Sequence, residues 1–558
     1  MPKRSATTRP QPSAEHRRRV YAACSECRRR RRKCNGSQPC AQCSAYGYAC
    51  TYEAESAAAA QNAPPGAASS SRHRPAEPIR RRQGRRVASP ADEEEAALPP
   101  STPLIVSRER GRFINANSAV ALPHLVGQQL SVSQPLRLHS YAWNLGLRPE
   151  RRGTVSSSLA EYLTLAECQA LCAVYFAAVH PLFAFLCQDS FSRRLVDSWA
   201  TLESQPNFAA VVALVAVLGS FFSTEAHPRE QDVKRHGLAI LDLALSAPVA
   251  AIDLDAVAGW LLRTLYMRLT TRPAISCMAS HVAMHFAEIM GLHRDLVDDG
   301  NDDAAAAKSA AFGLEELESR RRHFCVARFL NVLLTTEYGV SGPAPRHTNC
   351  LSPARVPGAH IEVLHTITRV LQDAEAAASA GLDSDDYAEL FQHLKDIRHD
   401  DDTVALFTAD ACLCLLRRFA ASSRGPSPRV VTMATAILRR ALDGITALLA
   451  AERTWWSMLS VPFQSICVGV SADHAALLAL LPTAMGLLRA MADKFASHMA
   501  KEALATAQQV ITASRGSTEA KLAMQDAALA HALPAVDIDW AGFDFDMGGD
   551  WPVVDFLM

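Results

Sequence analysis

Residues 24–50 read CSECRRRRRKCNGSQPCAQCSAYGYAC. Six cysteines, Cys24, Cys27, Cys34, Cys40, Cys43 and Cys50, follow the spacing C-x2-C-x6-C-x5-C-x2-C-x6-C. The stretch is an internal repeat, two C-x2-C-x6-C halves joined by NGSQP. Each half offers three thiolates, one fewer than the four ligands zinc prefers in a structural site. Two zinc ions therefore need two sulfurs to bridge both metals; the alternative is a pair of poorly closed single sites. No histidine falls inside the stretch, and its spacings are not those of RING, LIM or zinc-ribbon sites. So short a segment, with Tyr46, Tyr48 and Tyr52 as almost its whole apolar inventory, cannot bury enough surface to fold alone. Metal binding has to supply the folding free energy, on the order of 10 kcal/mol or more for structural zinc.

The two halves share ligands and differ in what lies between them. From Arg28 through Arg29, Arg30, Arg31 and Arg32 to Lys33 every residue is cationic, whereas SAYGYA between Cys43 and Cys50 carries no charge. A short helix after Cys27, fixed by ligands at both ends, would present this run to a polyanion, with arginine able to bond guanine O6 and N7 in the major groove. Most of the run suits phosphate contacts, which position a module without reading sequence. The run, with Arg17 to Arg19, also has the form of a nuclear-import signal.

These residues resemble the fungal Zn(II)2Cys6 binuclear zinc-cluster transcription regulators, in all six cysteines, the basic run, Pro39 in the middle loop and the aromatic Tyr52. The resemblance implies two Zn2+ ions with Cys24 and Cys40 as the bridging ligands. It also implies readout of CGG-type triplets in double-stranded DNA, mostly through the residue four past the second cysteine. That position, usually lysine, is Arg31 here, and the usual lysine before the third cysteine is Lys33.

Outward from the cluster, the 558-residue chain is 49% apolar and 20% charged, the composition of a folding globular protein with room for several domains. Its zero net charge hides a polarity: residues 1–52 carry +10 and residues 534–558 carry −6. A basic head and an acidic tail point to partners of opposite charge. The N-terminus lacks the apolar core of a secretory signal, and the apolar runs at 208–222 and near Leu477 fall short of the roughly 20 residues a span needs. The expectation is a soluble, intracellular chain without membrane contact, in which clustered cysteines are metal ligands rather than disulfides.

Residues 1–19 read as a disordered basic arm, 20–53 as the DNA-binding module and 54–133 as a disordered linker rich in Ala, Pro, Ser and Arg. That linker shows no sustained heptad pattern of the coiled-coil dimers common in the family, and Pro64, Pro65, Pro75, Pro78 and Pro90 interrupt it. From 134 to 530 apolar residues recur at three- and four-residue spacing, so a large all-α domain is expected. Thr164 and Glu167 have the form of a capping box, and Pro181 should end or kink the helix that follows. Segments 175–191, 209–223, 279–295 and 315–345 resemble, in order, the middle homology region of the same regulators. They include GLHRD at Gly291–Asp295 and an arginine run whose following tryptophan is Cys325 here. By that resemblance the domain restrains or licenses activity through a small-molecule effector or a regulatory protein. The acidic stretches 298–308 and 383–402 read as solvated insertions.

No constellation for catalysis stands out, so the chain is not expected to be an enzyme. His281 and His285 lie one turn apart, but Val282 breaks the H-E-x-x-H form. Trp455 and Trp456 read as core or as a seam. The scattered Cys168, Cys172, Cys187, Cys277, Cys325, Cys412, Cys414 and Cys467 read as small core residues. In residues 531–558 the aromatics Trp540, Phe543, Phe545, Trp551 and Phe556 alternate with aspartates, the composition of an activation tail that docks on coactivators. The whole reads as a nuclear, zinc-dependent regulator of RNA polymerase II genes, in the sense of an activator. The alternative is a zinc-stabilised corepressor or scaffold that works through the helical domain and binds DNA non-specifically.

Overall fold

The computed structural model describes residues 24–29, 34, 37, 39, 40, 43, 44 and 50, the strands 104–107 and 112–115, and residues 126, 130 and 131. It also describes 153–530, apart from 156, 246–251, 296–312, 344, 346, 347, 381–383 and 421–424. Residues 1–19, most of the linker, the 298–308 stretch and the tail from 531 lie outside the described residues. The chain divides into two units, Met1–Ala96 and Ala97–Met558.

In the first unit the described helix is α1, Ser25–Arg29, with the cysteines gathered beside it. In the second, the strands β1, Leu104–Ser107, and β2, Arg112–Asn115, pair antiparallel with Ile105 opposite Ile114. This hairpin lies inside the span read as linker. Its LIVS and RFIN runs carry the β-branched and aromatic residues that favour strands, too short to stand out beside a proline-rich stretch.

The rest is helical, as the three- and four-residue spacing requires. The first group comprises α2, Leu165–Ala178, α3, His180–Phe183, α4, Gln188–Ser198, and α5, Pro206–Phe221. After them come α6, Glu230–Ala244, α7, Leu254–Thr270, α8, Pro273–Ile289, and α9, Leu314–Tyr338. The second group runs through α10, Ile361–Ala380, α11, Ser384–Lys395, α12, Asp402–Ala420, and α13, Pro428–Ala450. It ends with α14, Ser457–Ala472, α15, Ala475–Leu478, α16, Leu481–Phe495, and α17, His498–Ala530. Helices pack mainly on sequence neighbours, as short connections favour.

The predicted capping box is present: Thr164 N–H donates to the Glu167 carboxylate at 2.8 Å and Glu167 N–H to Thr164 Oγ1 at 3.3 Å. Pro181 does break the helix, at the α2–α3 junction. Helix α5 is apolar on every side and correspondingly buried from Phe208 to Ser220, the pattern of a central helix. A Cβ on Gly219 would stand 1.9 Å from the Leu171 carbonyl oxygen, so only glycine allows α2 and α5 to approach so closely.

Two expectations about the helical domain are corrected. The 383–402 stretch is not a solvated insertion: α11 buries Tyr387, Ala388, Leu390, Phe391 and Leu394 in the core, with Glu389 exposed. A second correction concerns the apolar run near Leu477. Ala475–Phe495 meets the length and composition of a membrane span, yet it is two helices, and Leu480 between them packs in the core with Ala484 and Leu488.

The four sequence segments of the helical domain meet through ion pairs and aromatic rings. Asp295, the last residue of GLHRD, takes a bidentate pair from Arg321, at 2.7 and 3.0 Å, and accepts Leu351 N–H at 3.3 Å. Buried Arg320 donates to the Met290 carbonyl at 2.6 Å. The arginine run of α9 thus pins the turn that ends α8. Trp455 and Trp456 form a seam between the two helix groups, with Phe183 and Phe222 on one side and Phe407 on the other, ring centroids 4.9 to 6.3 Å apart. Cys325, where the family carries tryptophan, is a buried residue whose Sγ lies 3.8 Å from the Ile361 carbonyl.

Candidate zinc and DNA-binding site

The repeat in sequence is a repeat in structure. In the first half Arg28 N–H donates to the Cys24 carbonyl at 2.9 Å and Cys27 N–H to Cys24 Sγ at 3.4 Å. In the second half Ser44 N–H donates to the Cys40 carbonyl at 2.9 Å and Cys43 N–H to Cys40 Sγ at 3.3 Å. Each C-x2-C pair therefore starts a turn that points both sulfurs inward. The expected helix does not follow Cys27 but spans it, because the turn begins at the first ligand.

The four turn cysteines are buried, and their Sγ atoms lie within 4.8 Å of one another. Cys24 Sγ is 3.8 Å from Cys40 Sγ and 3.6 Å from Cys43 Sγ; Cys27 Sγ is 3.5 Å from Cys40 Sγ. Tetrahedral zinc with Zn–S bonds of about 2.3 Å has sulfur–sulfur edges of about 3.8 Å, so these spacings fit the metal. Cys34 and Cys50 are half-buried against the same cluster, and Cys50 Sγ accepts Cys40 N–H at 3.2 Å. Each of the four turn sulfurs has a close contact in the opposite half.

Their protonation makes the same case. The Cys43 backbone N–H draws the Cys40 thiol down to about 6, whereas burial pushes Cys27 up to about 12 and also raises Cys43. Neighbouring thiols in one buried knot cannot all ionise by themselves. A divalent cation resolves the conflict by stabilising every thiolate at once.

Of the six basic residues, α1 carries Arg28 and Arg29, and Arg28 is exposed. Arg30, Arg31, Arg32 and Lys33 lie outside the described residues, as do the five tail aromatics. The middle-loop Pro39 is exposed, its carbonyl accepting from Ser37 Oγ at 3.2 Å.

The discounted histidine pair is not brought together as a metal site. His281 Nδ1 lies 2.7 Å from the Cys277 carbonyl oxygen and Nε2 3.3 Å from that of Ser341, so both nitrogens already meet backbone acceptors. The scattered cysteines are free thiols in or beside the core, as is Cys350, which the sequence reading left out. Among the described residues, the turn cysteines are the one metal-ligand cluster of three or more such side chains.

Residues 22–58 match the family described as the fungal Zn(2)-Cys(6) binuclear cluster domain. Residues 173–341 match the fungal specific transcription factor domain. The chain carries the two domains that mark fungal zinc-cluster transcription factors. Among curated relatives it is 29% identical over 501 residues to Protein RDR1 of Saccharomyces cerevisiae, covering 89% of each chain. It is 27% identical over 516 residues to Transcription factor kojR of Aspergillus flavus, covering 91% of this chain and 86% of that one. A Schizosaccharomyces pombe protein named Probable transcriptional repressor C1348.12 is 24% identical over 283 residues, 50% of this chain and 62% of that one. No solved structure matches.

The two domain matches and the named relatives carry the coarse function. This zinc-cluster protein binds zinc and DNA and regulates transcription, and the family implies a nuclear location. The matches are to transcription factors, not to enzymes.

Proposed function

We propose that the chain is a two-zinc, sequence-specific regulator of RNA polymerase II genes that reads CGG-type triplets in the major groove and acts as an activator. The observation that carries the reading is the duplicated turn, which supports one shared cluster over two separate sites. In this reading Cys24 and Cys40 bridge, Cys27 and Cys34 complete one zinc site, and Cys43 and Cys50 complete the other. Zinc supplies the folding free energy and the neutralised thiolates; the chain's own arginines do the reading. Arg31 contacts guanine and Arg28, Arg29, Arg30, Arg32 and Lys33 hold phosphates or flank the base contact.

Activation is assigned to the acidic aromatic tail, with Trp540, Phe543, Phe545, Trp551 and Phe556 docking on coactivators. The name of the fission-yeast relative favours the opposite sign, a repressor or a scaffold working through the helical domain. In either case the helical domain is assigned the reception of an effector or regulatory protein. The test of the reading is a zinc titration of the full chain after chelation, followed by DNA affinity. Tight, specific binding should return only as the second zinc per chain is bound. Full recovery at one zinc, or without zinc, overturns the binuclear reading.

A further inference from the structure

The helical domain holds a cavity of about 750 Å³, within the size range of small-molecule sites. It opens among residues 153–159, the start of α5, the end of α6 and the start of α7. Its floor is apolar, with Leu159, Leu202, Phe208 and Ile240 all buried. Its rim carries the exposed carboxylates of Glu203 and Asp253. The one arginine in the lining is already neutralised: Arg194 pairs with Asp255 at 2.7 and 3.1 Å and lies 3.7 Å over the Phe208 ring. The rim is therefore left with net negative charge.

A second observation points to a ligand. His236, only 5% exposed, lines the same cavity and spends Nδ1 on Ser157 Oγ at 3.0 Å. Its Nε2 takes no hydrogen bond among the described residues. In the tautomer whose Nδ1 proton goes to Ser157, Nε2 is left as the ring's acceptor. Burial also holds this imidazole below its ordinary range, so it stays neutral and adds no positive charge.

We propose that this cavity binds an apolar organic amine, its ammonium group held by Glu203 and His236 and its hydrocarbon body on the apolar floor. An anion is excluded by the rim, and a neutral molecule leaves the carboxylates without a counter-charge. As an effector site the cavity rests on the reading of the helical domain as the regulated part; as a binding site it does not.

The experiment is calorimetric titration of the full, zinc-loaded chain with three probes of one tail length: decylamine, decanol and decanoate. Decylamine should bind at least about tenfold tighter than decanol, and decanoate should not saturate. Glu203→Gln, at the exposed rim, should weaken decylamine about tenfold while decanol changes by less than about twofold. Ala244→Trp, which fills the cavity, should abolish both. Equal affinity for the three head groups, or wild-type binding by Ala244→Trp, overturns the site. A reporter gene separates the two readings. Decylamine binding that leaves reporter output unchanged supports the site and overturns the effector role. A reporter response that survives Ala244→Trp overturns this cavity as its cause.

Discussion

Arg31 and its neighbours carry the division of labour between recognition and attachment. A base-reading arginine loses a bidentate contact when truncated, so Arg31→Ala should cost ~1–3 kcal/mol on the preferred duplex and little on a scrambled one. Arg29→Ala should weaken both duplexes alike and make the salt dependence shallower, because a phosphate contact releases counterions without discriminating bases. Fluorescence anisotropy on matched and scrambled duplexes at several salt concentrations checks both. Equal losses from Arg31→Ala on the two duplexes contradict its assignment. The gathering of Cys24, Cys27, Cys40 and Cys43 was legible in the sequence because it is local: C-x2-C spacing dictates a turn, and the turn brings each pair of sulfurs together. The pairing of Cys24 with Cys43 and of Cys27 with Cys40 was not legible, since it depends on how the two halves dock.

Among the elements, the sharpest dependence is on the junction between α8 and α9. Asp295 has a side chain only 2% exposed, and Arg321 is its bidentate partner. Arg321 keeps Glu318 at 2.6 Å, so Asp295→Ala costs the lost hydrogen bonds rather than a stranded charge and should destabilise the helical domain by about 1–3 kcal/mol in urea unfolding. A loss within experimental error would contradict the pinning role. Asp410 makes a pH-dependent contribution at the seam. Burial first, and then the Glu337 charge, raise its pKa to about 7, with Ser457 and Ser460 donating to its carboxylate. A raised carboxylate contributes its stability below the unfolded pKa of about 3.9 and loses it as pH climbs through 7, on the order of 4 kcal/mol in all. Asp410→Asn should therefore gain on the wild type by that order as pH goes from 4 to 8, read from thermal unfolding of the helical signal. The neutral buried histidines His293 and His323 titrate in both proteins and cancel in the difference. A constant gap across that range would contradict the account. Caps and breaks such as Thr164, Glu167 and Pro181 could be read from sequence because they act within one turn. Helix α11 could not, because the acids of DSDDYAEL in the sequence obscured the apolar residues at helical spacing. The Asp295–Arg321 pair joins residues on separate helices, and sequence order alone does not say that they touch.

At the scale of the whole molecule, two units answer to different forces. The helical domain has a continuous apolar core that holds without metal, whereas the cysteine module has almost none and depends on zinc. The sequence announced this contrast through composition, and the fold class followed from it. The cavity behind Glu203 and His236 stayed hidden, since its walls come from five separated segments and no motif links them. The central claim joins zinc to sequence reading, and one measurement meets it head-on. The full chain, zinc-loaded and again after chelation, is used to select from a pool of random duplexes. The zinc-loaded protein should enrich CGG-type triplets and the chelated protein should enrich nothing. A flat, purely salt-dependent selection with zinc present, or the same enrichment after chelation, would contradict the account.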